Sequence, residues 1–550
     1  MSIVGMRNFM QGRMQYIMLA LAVIMAAAIV GMMTGAGSRG PSTQDNTGGI
    51  LAKVNGEKID RQDFELQYQK QSDQMQTGTV PSAFDEAQMR GRLFDQIVDH
   101  MLRVQAAKKA GIKVHRGEVN AKINEYVDMR VKQLKEQVLA NRKGRKTDEA
   151  FDAELRKNGT SLSQVKDEIR KSIDPKLVRD QILIDKHKAK INEGIDASDR
   201  AVKESFDEVR LAQISVSGTT RSMTEAEQRA KDILAKLRSG GDFAKLAMQY
   251  SEDPLASSGG DQGGFTRKSN LRQELADAVF RLKPGDVGGP IKQPDGYVIV
   301  KVVARRSALP SDFNDPKKKK EYRDAYLQQE QYRAQGGFEA EMRQSASIVV
   351  NDPEIKGYMI SKDIGSYLGP EGGARAKAKA REAVQQLEKA AAQSTGNSQA
   401  LARCYSQIAY LYYALGSTPI LQPTPQEKIE FRKKAIQSVN EALRYTESND
   451  LRMMIAELYI DTKDYDQALE QLKYVSDNEF YDNKAHMQIL HMYEGMKSAR
   501  PEVVAQRIAD EQRWIADYQK RLQESQAQQS QQTTEPFKVG GPAPGSKPGG

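Results

Sequence analysis

The sequence predicts a multidomain chain, mainly α-helical with one α+β domain. Three observations lead there. At 550 residues the chain exceeds what one hydrophobic core can hold, and three or four domains fit its length. Apolar residues recur at helical spacing before residue 206 and again from 374 to 522. Between these stretches, residues 207–306 alternate strand-like runs with short helical runs and glycine turns. The expected order is an N-terminal membrane helix, a helical module, the α+β domain, a returning helix and strand, and a helical-repeat domain.

The first element is the membrane helix, 14–33. Tyr16 to Met33 is an 18-residue run without a charge, preceded by Arg7 and Arg13. That length reaches the lower limit for a spanning helix and exceeds an ordinary signal-peptide core. Positive charge on the N-terminal side predicts residues 1–13 in the cytoplasm and the body outside it. A cleaved signal peptide is the competing reading, because small residues around Thr34-Gly35-Ala36-Gly37-Ser38 suit a peptidase. Residues 34–49, rich in Gly, Ser and Thr, read as a linker.

The second element, 50–206, opens on a hairpin. Ile50-Leu51-Ala52-Lys53-Val54 and Glu57-Lys58-Ile59 flank Asn55-Gly56, a strong signal for a two-residue turn. Phe94, Ile97, Val98, Met101, Leu102 and Gln105 then form a helical stripe, and Val119, Ile123, Tyr126, Val127, Leu134 and Val138 form a second. Phe151, Leu155, Val165, Ile169 and Ile173 suggest two further helices about a break at Gly159. Individually, these apolar stripes read as ordinary core.

The third element carries the densest pattern. A strand at Arg210–Val216 precedes a helix for which Thr224 and Glu227 have capping-box spacing. Gly240-Gly241-Asp242-Phe243, Tyr250-Ser251-Glu252-Asp253 and Gly259-Gly260-Asp261-Gln262-Gly263-Gly264-Phe265 follow in turn. Pro284-Gly285 marks a turn into an edge strand, and Gly296-Tyr297-Val298-Ile299-Val300 closes the domain. This order of motifs resembles the parvulin family of peptidyl-prolyl isomerases over about a hundred residues. The resemblance implies four antiparallel strands around several helices, and an activity that needs no nucleophile, metal or cofactor. It places the candidate catalytic residues at Gln213, where the family usually has a histidine, and at Asp253, the acidic position after Ser-Glu. It assigns substrate binding to Gln262, Phe265, Leu271, Leu275, Phe280 and Val298, with Val298 at the second usual histidine position and Gln262 at a usual leucine.

Next, 307–352 is expected to supply a helix from Pro316 to Met342 and a strand, Ile348-Val349-Val350, beside Ala52-Lys53-Val54. The Val-Asn-Gly-Glu-x-Ile start, Gly111-Ile112-Lys113-Val114 and Glu118-Val119 resemble the split chaperone module of SurA-like, PrsA-like and PpiD-like exported foldases. That resemblance implies unfolded or proline-containing exported polypeptides as partners, and a location on the bacterial inner membrane with the body in the periplasm or extracytoplasmic space.

A linker is expected at 353–373, then repeats at 374–522. Tyr459 and Tyr493 stand 34 residues apart, the tetratricopeptide period, and Ala435 and Ala468 stand 33 apart. An earlier repeat containing Ile408, Ala409 and Tyr412 carries an insertion around Thr418 to Pro425. Stacked helix pairs of this kind commonly present a surface to a protein partner; a plain helical bundle is the alternative. Residues 523–550, rich in Gln, Ser, Gly and Pro, are expected to be disordered.

Net charge of +9 does not argue for nucleic acid, because bases and acids are mixed along the helices and no aromatic-rich binding signature accompanies Lys317–Lys320. The single Cys404 excludes an intramolecular disulfide. The sequence therefore supports two readings: a membrane-anchored foldase that isomerises Xaa-Pro bonds, or a non-catalytic chaperone or assembly scaffold with a degenerate parvulin domain.

Overall fold

In the computed structural model the described residues are 49–75, 81–140, 147–218, 221–367, 373–418, 421, 423–478 and 483–533. The expected cytoplasmic segment, membrane helix and most of the linker at 34–49 lie outside them. Among the described residues no helix is long and apolar enough to cross a membrane. The described chain divides into two compact units, one of residues 49–75 and 90–352, the other of 81–89 and 353–533.

The first unit begins with the hairpin β1 (Ile50–Val54) and β2 (Glu57–Asp60). Asn55 and Gly56 both take positive φ, 49° and 87°, the pair of left-handed residues that a tight hairpin turn requires. Strand β7 (Ile348–Val350) pairs antiparallel with β1, Ala52 opposite Val350 and Val54 opposite Ile348. Chain segments almost 300 residues apart thus close one small sheet in the order β2-β1-β7. Arg61 and Asp352 seal its edge at 2.5 Å. Helices α1 (Arg61–Met75), α2 (Ala83–Lys109) and α3 (Arg116–Val138) follow. Then come α4 (Asp148–Lys157), α5 (Leu162–Ser172), α6 (Pro175–Glu193) and the short α7 (Asp199–Glu204). Phe94, Val98 and Leu102 are buried along α2, and Val119, Ile123 and Val127 along α3; Tyr126 faces solvent.

The α+β domain has β3 (Asp207–Ser217), α8 (Met223–Arg238), α9 (Phe243–Tyr250), β4 (Asp261–Arg267), α10 (Gln273–Val279), β5 (Val287–Gln293) and β6 (Gly296–Ser307). Its four strands are antiparallel in the order β4-β3-β6-β5. The capping box of α8 is Ser222 with Glu225, not Thr224 with Glu227. Both pairs have the right spacing, but Glu227 is engaged by Lys231 and the Tyr297 hydroxyl. The long helix α11 (Pro316–Ser345) then runs back to β7.

The second unit is helical. The expected linker at 353–373 is instead helical over α12 (Pro353–Asp363). Ile355 and Tyr358 are buried, and Glu354 makes a buried bidentate pair with Arg403 at 2.7 and 3.1 Å. Helices α13 (Gly373–Gln393), α14 (Ser398–Ser417), α15 (Pro425–Leu443) and α16 (Asn449–Asp461) share one core, in which Ala376, Ala409, Ala435 and Ala442 permit close helix approach. A second core joins α16 to α17 (Tyr465–Asn478), α18 (Asn483–Met496) and α19 (Pro501–Thr533) around Ala468, Leu472 and Tyr493. The tail expected to be disordered from 523 is helical to Thr533. Its glutamines and alanine are good helix formers, and no Gly or Pro intervenes before Pro536.

Candidate proline-binding site

The two faces of the β3–β6 pair have different partners. Ala212, Ile214, Val216 and Ile299 bury one face under α8 and α9. Val209, Leu211, Val300 and Val302 form the other face, with Val279 of α10 and Ile291 of β5. Leu271, Leu275, Phe280 and Val298 pack against that second cluster and remain partly exposed. Together they make a partly exposed apolar surface, the candidate hollow for a proline ring. Side chains alternate along a strand, so Gln213 and Ser215 share the face of Val209 and Leu211. Their cross-strand partners are Val300 and Val298. The polar pair and the apolar hollow therefore lie on one side of the sheet.

Gln213 donates from Nε2 to Oδ2 of Asp253. Asp253 sits just after α9, in a loop held by backbone pairing. Glu252 N–H donates to Ser215 O at 2.9 Å, and the Ser251 hydroxyl accepts from the N–H groups of Ser215 and Asp253 at 3.1 and 3.2 Å. Oδ1 of Asp253 accepts from Leu255 N–H at 2.8 Å, while the Ser215 hydroxyl lies 3.5 Å from Oδ2. Both carboxylate oxygens are thus oriented. Beneath the loop, burial pushes the Glu252 carboxyl up, but the Arg221 guanidinium and Ser217 N–H outweigh it and hold the group below the usual carboxylate range.

Glycine is required where this loop meets β3. Gly260 takes φ +75°, its carbonyl accepts from Gln213 N–H at 2.9 Å, and a Cβ there would lie 2.2 Å from Gln213 O. On β4 the Asp261 carboxyl is held low by Arg210 and by Gly263 N–H.

The structure brings together Gln213, Asp253, Leu271, Leu275, Phe280 and Val298. Gln262 is exposed on the edge strand. Phe265, expected in the apolar socket, is not there. It pairs with Arg210, which points away from the face of Val209 and Leu211, and is 37% exposed beneath the Arg306 guanidinium, 4.1 Å from the ring centroid. The register irregularity between Arg210 and Ala212 and the run Gly263-Gly264 hide its facing from any alternation pattern. Sequence reasoning also missed Ser215 and Ser251. The period of two from Gln213 would have found Ser215.

A four-stranded antiparallel sheet with α8 and α9 on one face, and α10, an apolar hollow and a hydrogen-bonded polar pair on the other, defines a parvulin-type domain. Residues 199–306 match the PPIC-type PPIase domain family, and residues 6–179 match the SurA-like N-terminal domain family. The foldase protein PrsA of Geobacillus sp. (strain WCH70) is 31% identical over 212 residues, covering 37% of this chain and 71% of that protein. The chaperone SurA of Chromohalobacter salexigens is 27% identical over 269 residues, covering 47% of this chain and 56% of the relative, so the chain spans about half the length of that chaperone. A crystal structure of a PpiC-type peptidyl-prolyl cis-trans isomerase domain is 31% identical, covering 19% of this chain and 95% of that one, with a TM-score of 0.18. The chain belongs to the parvulin-type foldase family that includes these PrsA and SurA proteins.

Proposed function

We propose that the chain is a membrane-anchored extracytoplasmic foldase, a peptidyl-prolyl cis-trans isomerase and chaperone for exported proteins. The observation that carries this is the placement of the Gln213–Asp253 pair on the same sheet face as the hollow of Leu271, Leu275, Phe280 and Val298. Rotation about the imide bond must cross roughly 18–20 kcal/mol, because the C–N bond has partial double-bond character. Twisting removes that resonance and returns the lone pair to nitrogen, so a site lowers the barrier by gripping the proline ring, desolvating the imide and offering that nitrogen a fixed donor. The hollow supplies the grip. The Gln213 amide and Ser215 hydroxyl are donors on the same sheet face, and Asp253 orients the amide. The chemistry forms no covalent intermediate.

A binding-only role is the second reading, favoured by one observation: Val298, where the family usually has a histidine, offers no polar group to the imide. The two readings separate in a peptide isomerisation assay, in which only the enzyme accelerates exchange.

The helical module around α2, α3 and α6 would hold unfolded exported chains while prolines are presented. The successive helix pairs of the second unit support a tetratricopeptide-like surface for a protein partner. Membrane attachment rests on Tyr16 to Met33 and its flanking arginines. A phosphatase reporter fused after residue 50 should appear outside the cytoplasm, and the full-length product should stay in carbonate-washed membranes. A soluble form starting near Ser38 would show a cleaved signal peptide instead.

A further inference from the structure

Helix α11 is 30 residues long and has no fully buried residue, so polar and aromatic contacts along its sides hold it. One set ties it to α2 and α6. Arg343 reaches Asp95 and, at 2.5 Å, Asp99; Glu339 accepts from Arg103 at 2.9 Å; Gln335 bonds Asn192 at 3.2 Å; and Phe338 meets His187 edge-on. A second set points elsewhere. Nη2 of Arg333 donates to the carbonyls of Lys268 and Leu271 at 2.6 and 3.0 Å. One turn further on, Gly337 lies so close to α10 that a Cβ would come 2.5 Å from Gln273 Oε1.

These contacts fall on the short turn Lys268–Asn270, which delivers Leu271 to the hollow and leads into α10. The Lys268 carbonyl closes this turn by accepting from Leu271 N–H at 3.3 Å, and Arg333 adds a charged donor to it and to the Leu271 carbonyl that follows. One planar guanidinium thus ties both ends of the turn together. The Arg333 side chain is only 15% exposed, and Glu330, one turn back at 3.6 Å, steadies it. The first wall of the hollow and the first turn of the helix bearing Leu275 are therefore fixed from outside the parvulin-type domain, by a helix bound to the helical module.

We infer that Arg333 is a positioning residue for the proline-binding hollow, and that the hollow takes its full shape only with α11 docked against the Lys268–Leu271 turn. The inference rests on the isomerase reading above. It makes the helical module a determinant of peptide affinity at a site it does not itself line.

The test uses the full chain, with proline peptides as substrate and KM and kcat measured separately. In Arg333→Ala, KM should rise roughly fivefold while kcat stays within about twofold, because a misplaced wall weakens ground state and transition state alike. Arg333→Lys, which keeps a cation within reach of the carbonyls, should recover much of the affinity. Gln335→Ala, which removes an α11 contact on the other side, should leave KM unchanged. If Arg333→Ala fails to fold, Arg333→Gln keeps a good helix former that cannot reach both carbonyls, and reads the same KM change. An unchanged KM in a folded Arg333 variant, or an equal rise in Gln335→Ala, overturns the inference and leaves the isomerase reading standing. A wild-type chain without isomerase activity overturns both.

Discussion

Gln213 and Asp253, 40 residues apart in sequence, are joined side chain to side chain, so the central strand β3 and the loop after α9 present one polar pair to the hollow. The carboxylate orients the amide, and the amide would meet the imide. Asp253→Ala should therefore lower kcat by about 100-fold with little change in KM, as for loss of one oriented donor. Gln213→Ala should do the same, and the double variant should be no worse than either single one, because the pair acts as a unit. Steady-state kinetics on one peptide series checks all three.

Leu275 and Phe265 separate the hollow from the edge strand. Leu275→Ala opens the hollow, so KM should rise, with a stability loss of about 2 kcal/mol for a partly buried leucine. Phe265 lies on the other face under Arg306. Its change to alanine should leave KM unaltered and cost within about 1 kcal/mol, the worth of an exposed cation–π contact. Equal KM effects would place Phe265 back in the site.

Much of the fold was legible because local chemistry dictated it. Asn55-Gly56 announces a tight turn, Gly159 breaks a helix, and the apolar stripes of α2 and, Tyr126 apart, α3 fall on the inward faces. What was not legible depends on partners far away in sequence. Glu354 looks like a linker residue until it meets Arg403, 49 positions on. Phe265 looks like a socket residue until the strand register turns it over. Arg333 is one basic residue among many on α11, and only its two carbonyl partners single it out. Family resemblance singled out Gln213 and Asp253 as candidates, whereas Ser251, whose hydroxyl fixes backbone beside them, carries no such signal.

The pairing of Glu252 with Arg221 sets a pH dependence. Its folded carboxyl titrates below the usual range, so its stabilising contribution is present above the unfolded value and lost as pH falls through the folded one. The wild-type melting temperature should therefore exceed that of Glu252→Gln near neutral pH. The gap should close as pH drops below the ordinary carboxylate range. A gap that stays constant down to the acid limit would show that the ion pair does not carry it.

Gly260 tests the backbone route between loop and strand. A Cβ at this position meets the Gln213 carbonyl, and φ is +75°. Gly260→Ala should destabilise the domain by at least about 2 kcal/mol, combining left-handed strain with a backbone clash. Thermal unfolding checks this, and a loss below about 0.5 kcal/mol would mean that β3 and the loop are free to separate.

The most direct measurement is the rate of cis-to-trans exchange in a proline peptide, followed by a trans-specific protease, with the full-length chain added. Uncatalysed exchange takes tens to hundreds of seconds, so acceleration is readily seen. The account predicts a rate that rises in proportion to added protein, falls in Asp253→Ala, and increases when histidine replaces Gln213 and Val298 together. A wild-type rate equal to that of buffer across a series of Xaa-Pro peptides, unimproved by the two histidines, would contradict it and leave the domain a binding module.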